Sequence, residues 1–176
     1  MRVVALGMAL VAGGAAVAFA GPAQAATLTE VTGFGTNPGN LKMWEYVPTG
    51  LAANRPLVVL LHGCSATAAQ IDNETGWTKW ADQFQFALLL PEQKPANNGF
   101  RCFNVSVPGD QERGQGEPLS VKQMTDWEIS HRGSDPSRVY VTGLSAGGAM
   151  TTNMLGTYPD VYKMGAEMEG WPTLCS

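Results

Sequence analysis

The sequence predicts an α/β protein: a mostly parallel sheet with flanking helices. Three observations carry that expectation. Residues 57–61 and 86–90 are continuous apolar runs, as in strands buried on both faces. Segments of partly helical spacing lie between such runs, and alternation of strand with helix builds parallel sheets. A third short strand, residues 139–142, runs straight into a glycine-rich turn followed by a helical segment.

Composition narrows the function classes. The chain has 176 residues, with 11 Lys+Arg against 15 Asp+Glu and a net charge of −4. A content of 44% hydrophobic residues is too apolar for a disordered chain. The acidic balance excludes a nucleic-acid binder, and the 21 glycines follow no three-residue period, which excludes collagen-like structure.

In chain order, Arg2 comes first, then an uncharged apolar run over residues 3–20, then Gly21, Pro22 and the small-residue triplet Ala23-Gln24-Ala25. A charged start, an apolar middle and an A-x-A site make a secretory signal. The alternative is a membrane anchor, since the run is near the minimum span. Its Ala, Gly and Val content drives insertion weakly, and the cleavage site follows at once. The expectation is a signal over residues 1–25 and a secreted, extracellular domain over 26–176, with no membrane attachment after cleavage. Cys64, Cys102 and Cys175 then meet an oxidising compartment, which favours one disulfide and leaves one thiol over. No C-x-x-C spacing is present, so a zinc site is not expected; no other metal and no cofactor is assigned.

Residues 41–47 alternate in polarity and suit a half-buried strand, closed by Pro48 and Gly50. Residues 67–84 carry Ile71, Trp77, Trp80, Ala81 and Phe84 at partly helical spacing, interrupted by Gly76. The run 86–90 should end at Pro91. Residues 92–118 lack any period and read as a long loop, a feature that is often functional. Residues 119–131 suit a helix with Ser120 as cap and Val121, Met124, Trp127 and Ile129 as apolar positions. After the Asp135-Pro136 turn and the strand at 139–142, residues 146–158 suit a helix. Ala149, Met150, Met154 and Leu155 share its face, and Pro159 stops it. A last strand candidate covers residues 165–170.

The chemistry gathers at Gly143-Leu144-Ser145-Ala146-Gly147. A bare G-x-S-x-G pattern is weak, but here a β-branched strand precedes it and a helix follows. Such a strand-to-helix turn lifts a serine Oγ above the sheet as a nucleophile, with Gly143 and Gly147 avoiding clashes with neighbouring backbone. N–H groups at the start of the new helix then face developing negative charge. The second half of an oxyanion hole comes from the loop after an earlier buried strand, here Leu61-His62-Gly63-Cys64-Ser65. The backbone N–H groups of Cys64 and Ala146 are the two donors, and His62 holds the loop by hydrogen bonding.

Four segments resemble the poly(3-hydroxybutyrate) depolymerase family of secreted esterases, which includes acetylxylan and feruloyl esterases. They are residues 55–64, from Arg55-Pro56 to Gly63-Cys64; Asn98-Gly99-Phe100-Arg101-Cys102-Phe103-Asn104; residues 135–150 around Ser145; and Tyr158-Pro159-Asp160-Val161-Tyr162. The resemblance runs from about Thr29 to the last residue. It implies an α/β-hydrolase fold, ester hydrolysis through Ser145, a Ser-Asp-His triad and a polymeric ester substrate: acetylated or feruloylated xylan, or polyhydroxyalkanoate. It also supports Cys64 and Ala146 as oxyanion donors. For the disulfide, Cys64 with Cys102 stands beside a lost partner for Cys175.

The chain departs from the family where the triad should be completed. In this fold the acid and the histidine follow the serine. Here the two histidines, His62 and His131, both precede Ser145, so the fold is expected to lack its last strands. His131 falls at the wrong end of a strand that spans roughly 15 Å, and reads as a solvated residue at a helix C-terminus. Asp160 reads as a turn cap. Glu167 and Glu169 read as one water-facing side of an edge strand. Val105 stands where the family usually has an aromatic residue. Two functions follow: a serine carboxylic-ester hydrolase, or a non-catalytic truncated homologue that binds polymer. Trp44, Trp77, Trp80, Trp127 and Trp171 offer stacking surface for the second, although core packing explains most of them. A sheet ending there should expose an apolar edge and aggregate.

Overall fold

A computed structural model describes residues 27–170. The signal expected over residues 1–25, Trp171 and Cys175 lie outside the described residues. The strands are β1 (Thr29–Val31), β2 (Lys42–Tyr46), β3 (Leu57–Leu61), β4 (Ala87–Glu92), β5 (Val139–Leu144) and β6 (Met164–Met168). The helices are α1 (Ala68–Thr75), α2 (Trp77–Phe84), α3 (Gly116–Arg132) and α4 (Ala146–Thr157). Among the described residues the strands make one sheet in the order β1-β2-β4-β3-β5-β6. The β3–β4, β3–β5 and β5–β6 pairs are parallel, while β1–β2 and β2–β4 are antiparallel.

Every residue of β3 is buried, because the strand is central and covered on both faces. Leu57, Val59 and Leu61 point into the larger core with Val121 and Met124 of α3 and Met150 and Met154 of α4. Val58 and Leu60 point the other way, onto Ile71 of α1 and Ala81 of α2. Gly76, in the left-handed region at φ 70°, separates α1 from α2. Asp72 caps the second helix by accepting from the Thr78 N–H at 2.8 Å.

Several elements differ from the sequence reading. Strand β1 has only three residues and no recognisable alternation, and pairing with β2 alone makes it a strand. Strand β4 does not end at Pro91 but runs to Glu92. Its pairing with β3 stops at Leu89, so Pro91 lies where only β2 is beside it and the missing N–H costs no ladder bond there. Helix α3 starts at Gly116, and Ser120 is not its cap. The Ser120 hydroxyl is buried inside the helix, donating to the Gly116 carbonyl and accepting from the Gly39 N–H. Val105 is buried beside Phe103 in the larger core, so a smaller side chain still fills that part of the loop.

Coverage of the sheet is uneven. On the α1–α2 side, a groove of about 410 Å³ runs along β5 and β6, lined by Val58, Trp77, Tyr140, Met164, Ala166 and Met168. Met164 is 68% exposed, and β6 is the sheet edge among the described residues. On α2, Trp80 and Phe84 stack at 6.0 Å and are both exposed. Trp44 and Trp77 pack against the smaller core, and Trp127 against the larger one.

Candidate active site

Strand β5 delivers Ser145 to the junction with α4, where the residue takes φ 55° and ψ −119°. A non-glycine residue holds such a conformation only when its surroundings impose it. The constraints are visible. A Cβ on Gly143 would overlap the Gly147 carbonyl and come within 2.8 Å of Leu61 O. A Cβ on Gly147 would overlap Leu61 O and approach His62 O to 2.6 Å. Both glycines therefore let α4 press against the end of β3. The Ser145 N–H donates to Met168 O at 2.8 Å, and Ser145 O accepts from the Ala149 N–H at 3.0 Å.

The loop after β3 forms the facing wall. Gly63 lies against the turn, with its Cβ direction 3.5 Å from Ser145 Cβ. Cys64 follows, joined by a disulfide to Cys102 with the two Cα atoms 4.2 Å apart. The Ser65 N–H donates to Phe100 O at 2.6 Å. A cavity of about 280 Å³ opens between the walls, bordered by Gly63, Cys64, Ser65, Glu74, Ser145 and Glu169. Among the described residues nothing accepts from the N–H of Cys64 or of Ala146.

His62 is fully buried. Its Nδ1 lies 2.7 Å from Gly63 O, and its Nε2 accepts from the Gln93 N–H at 3.0 Å. The Gln93 donor leaves the ring proton on Nδ1, so the imidazole is neutral and donates to Gly63 O. Burial pushes its pKa below 6.5. With both nitrogens committed, His62 is a structural member of the loop.

The remaining candidates separate. His131 is exposed in the last turn of α3, stacked on Trp127 at 4.6 Å. Asp160 is not a simple turn cap: it takes both Arg113 guanidinium nitrogens, at 2.6 and 2.9 Å, which hold its carboxyl down at about 2. Glu167 and Glu169 do not share a strand face. β6 ends at Met168, and Glu169 turns into the left-handed region at φ 54°, which brings it to the border of the Ser145 cavity. The edge-strand reading followed the two-residue period alone, which does not register that turn.

Sequence reasoning also missed a buried polar cluster behind the Cys64 loop. The Gln93 amide donates to Cys102 O at 3.1 Å and to Glu117 Oε1 at 2.5 Å. Glu117 further accepts from the Asn104 N–H at 2.8 Å and the Asn104 side chain at 2.9 Å. Burial pushes the Glu117 carboxyl up to about 7, against the lowering effect of these donors. No local signal marks the cluster, because its members come from the residue just past β4, the long loop and α3.

A strained serine between a parallel strand and a helix, above a six-stranded sheet of this order, defines an α/β-hydrolase. Solved structures agree. Acetyl xylan esterase from Aspergillus awamori superposes with a TM-score of 0.74 at 34% identity, over 79% of this chain and 50% of that one. The poly(3-hydroxybutyrate) depolymerase of Bordetella parapertussis, at 19% identity and a TM-score of 0.63 over 77% of this chain and 49% of that one, shares the fold.

The family model for esterase PHB depolymerases matches residues 41–170, and the chain belongs to that family of carboxylic-ester hydrolases. Poly(3-hydroxyalkanoate) depolymerase C of Paucimonas lemoignei is 52% identical over 85% of this chain and 36% of its own length. Feruloyl esterase B of Talaromyces stipitatus is 38% identical over 86% of this chain and 42% of its own. The chain thus spans between a third and a half of the length of these curated relatives.

Proposed function

We propose that this chain carries the nucleophile and the oxyanion donors of a secreted serine esterase acting on a polymeric ester. The observation that carries the reading is the Ser145 conformation, φ 55° and ψ −119°, facing the cavity shared with Cys64. In this reading Ser145 Oγ attacks the acyl carbonyl, the alcohol leaves, and water releases the acid from the acyl-enzyme. The N–H groups of Cys64 and Ala146 receive the oxyanion, each contributing about 3 kcal/mol of transition-state stabilisation. His62, Gly143 and Gly147 support that geometry. The relatives' names supply the substrate classes: polyhydroxyalkanoate, and feruloylated or acetylated xylan. The disulfide and the charged-apolar-small order of residues 1–25 support secretion.

A second reading rests on the histidines. His62 and His131 are the only two in the sequence; one is buried with both nitrogens engaged and the other is exposed at the far end of α3. Neither is placed to take the Ser145 proton. By this reading the chain alone is a non-catalytic remnant that binds polymer. Hydrolysis of p-nitrophenyl acetate by the wild type and Ser145→Ala separates the two. A rate that vanishes in the variant supports the esterase, and equal rates support the remnant.

A further inference from the structure

We propose that Gln93 and Glu117 are positioning residues that aim the Cys64 N–H into the Ser145 cavity, acting through the His62 imidazole and the Cys64–Cys102 disulfide. The proposal rests on the esterase reading for its purpose, though its geometry stands apart from turnover.

The Gly63 carbonyl and the Cys64 N–H belong to one peptide unit. Among the described residues every peptide is trans, so the two groups point in opposite directions. His62 Nδ1–H grips the carbonyl at 2.7 Å, which turns the N–H away from the imidazole, and the cavity borders Gly63 and Cys64. The grip also polarises the peptide, since a hydrogen bond accepted at the oxygen strengthens the one donated at the nitrogen. Two holds therefore fix this unit: the imidazole at its oxygen and the disulfide at the Cys64 side chain.

Both holds end on the same residue. The Gln93 N–H fixes the far nitrogen of His62, and the Gln93 side chain fixes the carbonyl of Cys102. Gln93 is in turn held by Glu117, which is 1% exposed and gathers three N–H donors from Gln93 and Asn104. A buried carboxyl with that many partners defines one arrangement, because any other leaves buried polar groups unpaired. Substrate has no need to touch Gln93 or Glu117 in this scheme.

The test reads the Cys64 amide directly, by nitrogen-edited NMR of the full chain and of Gln93→Ala and Glu117→Gln. The expected result is a displaced Cys64 cross-peak in both variants, with reduction of the disulfide by dithiothreitol about tenfold faster. The wild type supplies a check without substitution. Protonation of Glu117, near pH 7, should move the Cys64 amide, an inflection that Glu117→Gln abolishes. Asp110 faces Glu117, while Glu92 and Arg101 face His62, which titrates lower. If the Cys64 amide stays in place in both variants and through the titration while only the melting temperature falls, Gln93 and Glu117 are packing residues and the proposal is wrong. Where the wild type hydrolyses ester, kcat should fall about tenfold to a hundredfold with KM little changed. A wild type without hydrolysis would count against the esterase reading and leave the NMR result standing.

Discussion

The two walls of the Ser145 cavity are built by different means. The Ser145 wall is a backbone construction: strand β5, a serine held at positive φ, and glycines that let α4 meet the end of β3 without a side chain between. The Cys64 wall is a side-chain construction. Its loop is held by its own His62 imidazole, a disulfide to the long loop, the amide of Gln93 just past β4 and a buried carboxyl from α3. Backbone packing is rigid and intolerant of any added atom. A polar network is equally definite while complete, yet it answers to reduction and to pH. One site thus combines a wall that can only be broken with a wall that can be loosened.

The largest effect expected from this difference is at Gly147. Gly147→Ala places a methyl group on the carbonyls of Leu61 and His62, both backbone atoms that cannot swing aside. The expected cost exceeds about 4 kcal/mol, the range of severe core strain, and soluble folded protein should be lost. A variant that melts like the wild type would show that the Ser145 wall yields, and the contrast would collapse. On the other wall, Cys64→Ser with Cys102→Ser opens a loop of sequence separation 38 and should cost about 2–4 kcal/mol, read from urea midpoints. The amide signals of residues around Ser145 should stay in place in that variant. If they move with those of the Cys64 loop, the walls are one cooperative unit.

The same contrast explains what the sequence shows and what it hides. The run Leu57–Leu61, the strand entering Gly143 and the helix leaving Ala146 are local patterns, and each lies where its period places it. The Ser145 turn is legible because four neighbouring residues dictate it. Glu117 and Gln93 are illegible for the opposite reason: their role exists only once β4, the loop and α3 are packed. Glu169 was misplaced because a two-residue period was carried through a position that leaves the strand. Strand β1 and the passage of β4 through Pro91 were missed because pairing with β2, not composition, makes them strands.

Stability against pH reads two buried carboxyls of α3, one of which, Glu117, belongs to the side-chain wall. Glu117 is raised to about 7 by burial, and Glu128 to about 9 by burial and the nearby Glu45 charge. Among the described residues neither oxygen of Glu128 has a hydrogen-bond partner. The folded chain keeps both protons at pH values where the unfolded chain, titrating near 4.5, has released them. Stability should therefore be highest on the acid side of 4.5 with respect to these two groups, and should fall as pH rises. Glu117→Gln should remove the part of the slope between about 4.5 and 7. Glu128→Gln, in the C-terminal half of α3, should flatten the part that extends to about 9. Urea midpoints across that range check both. A slope unchanged in Glu117→Gln would mean that the carboxyl does not carry its proton into the fold.

The smallest effect is expected where the two constructions meet at the surface. Arg113, at the end of the long loop, pairs with Asp160 just beyond α4 and also donates to Thr157 O at 2.9 Å. Both side chains are more than half exposed, so solvent and salt screen the pair and its fixed geometry costs side-chain freedom. Asp160→Asn should leave the melting temperature within error of the wild type and move neither the Cys64 nor the Ser145 amide. The folded carboxylate, held at about 2, lies below the ordinary carboxylate value, so its modest contribution is present above about 4 and is lost only as pH falls toward 2. A clear loss of stability at neutral pH in Asp160→Asn would mean that the loop and α4 are coupled through this exposed bridge. The buried cluster around Glu117 would then no longer account by itself for how the side-chain wall is held.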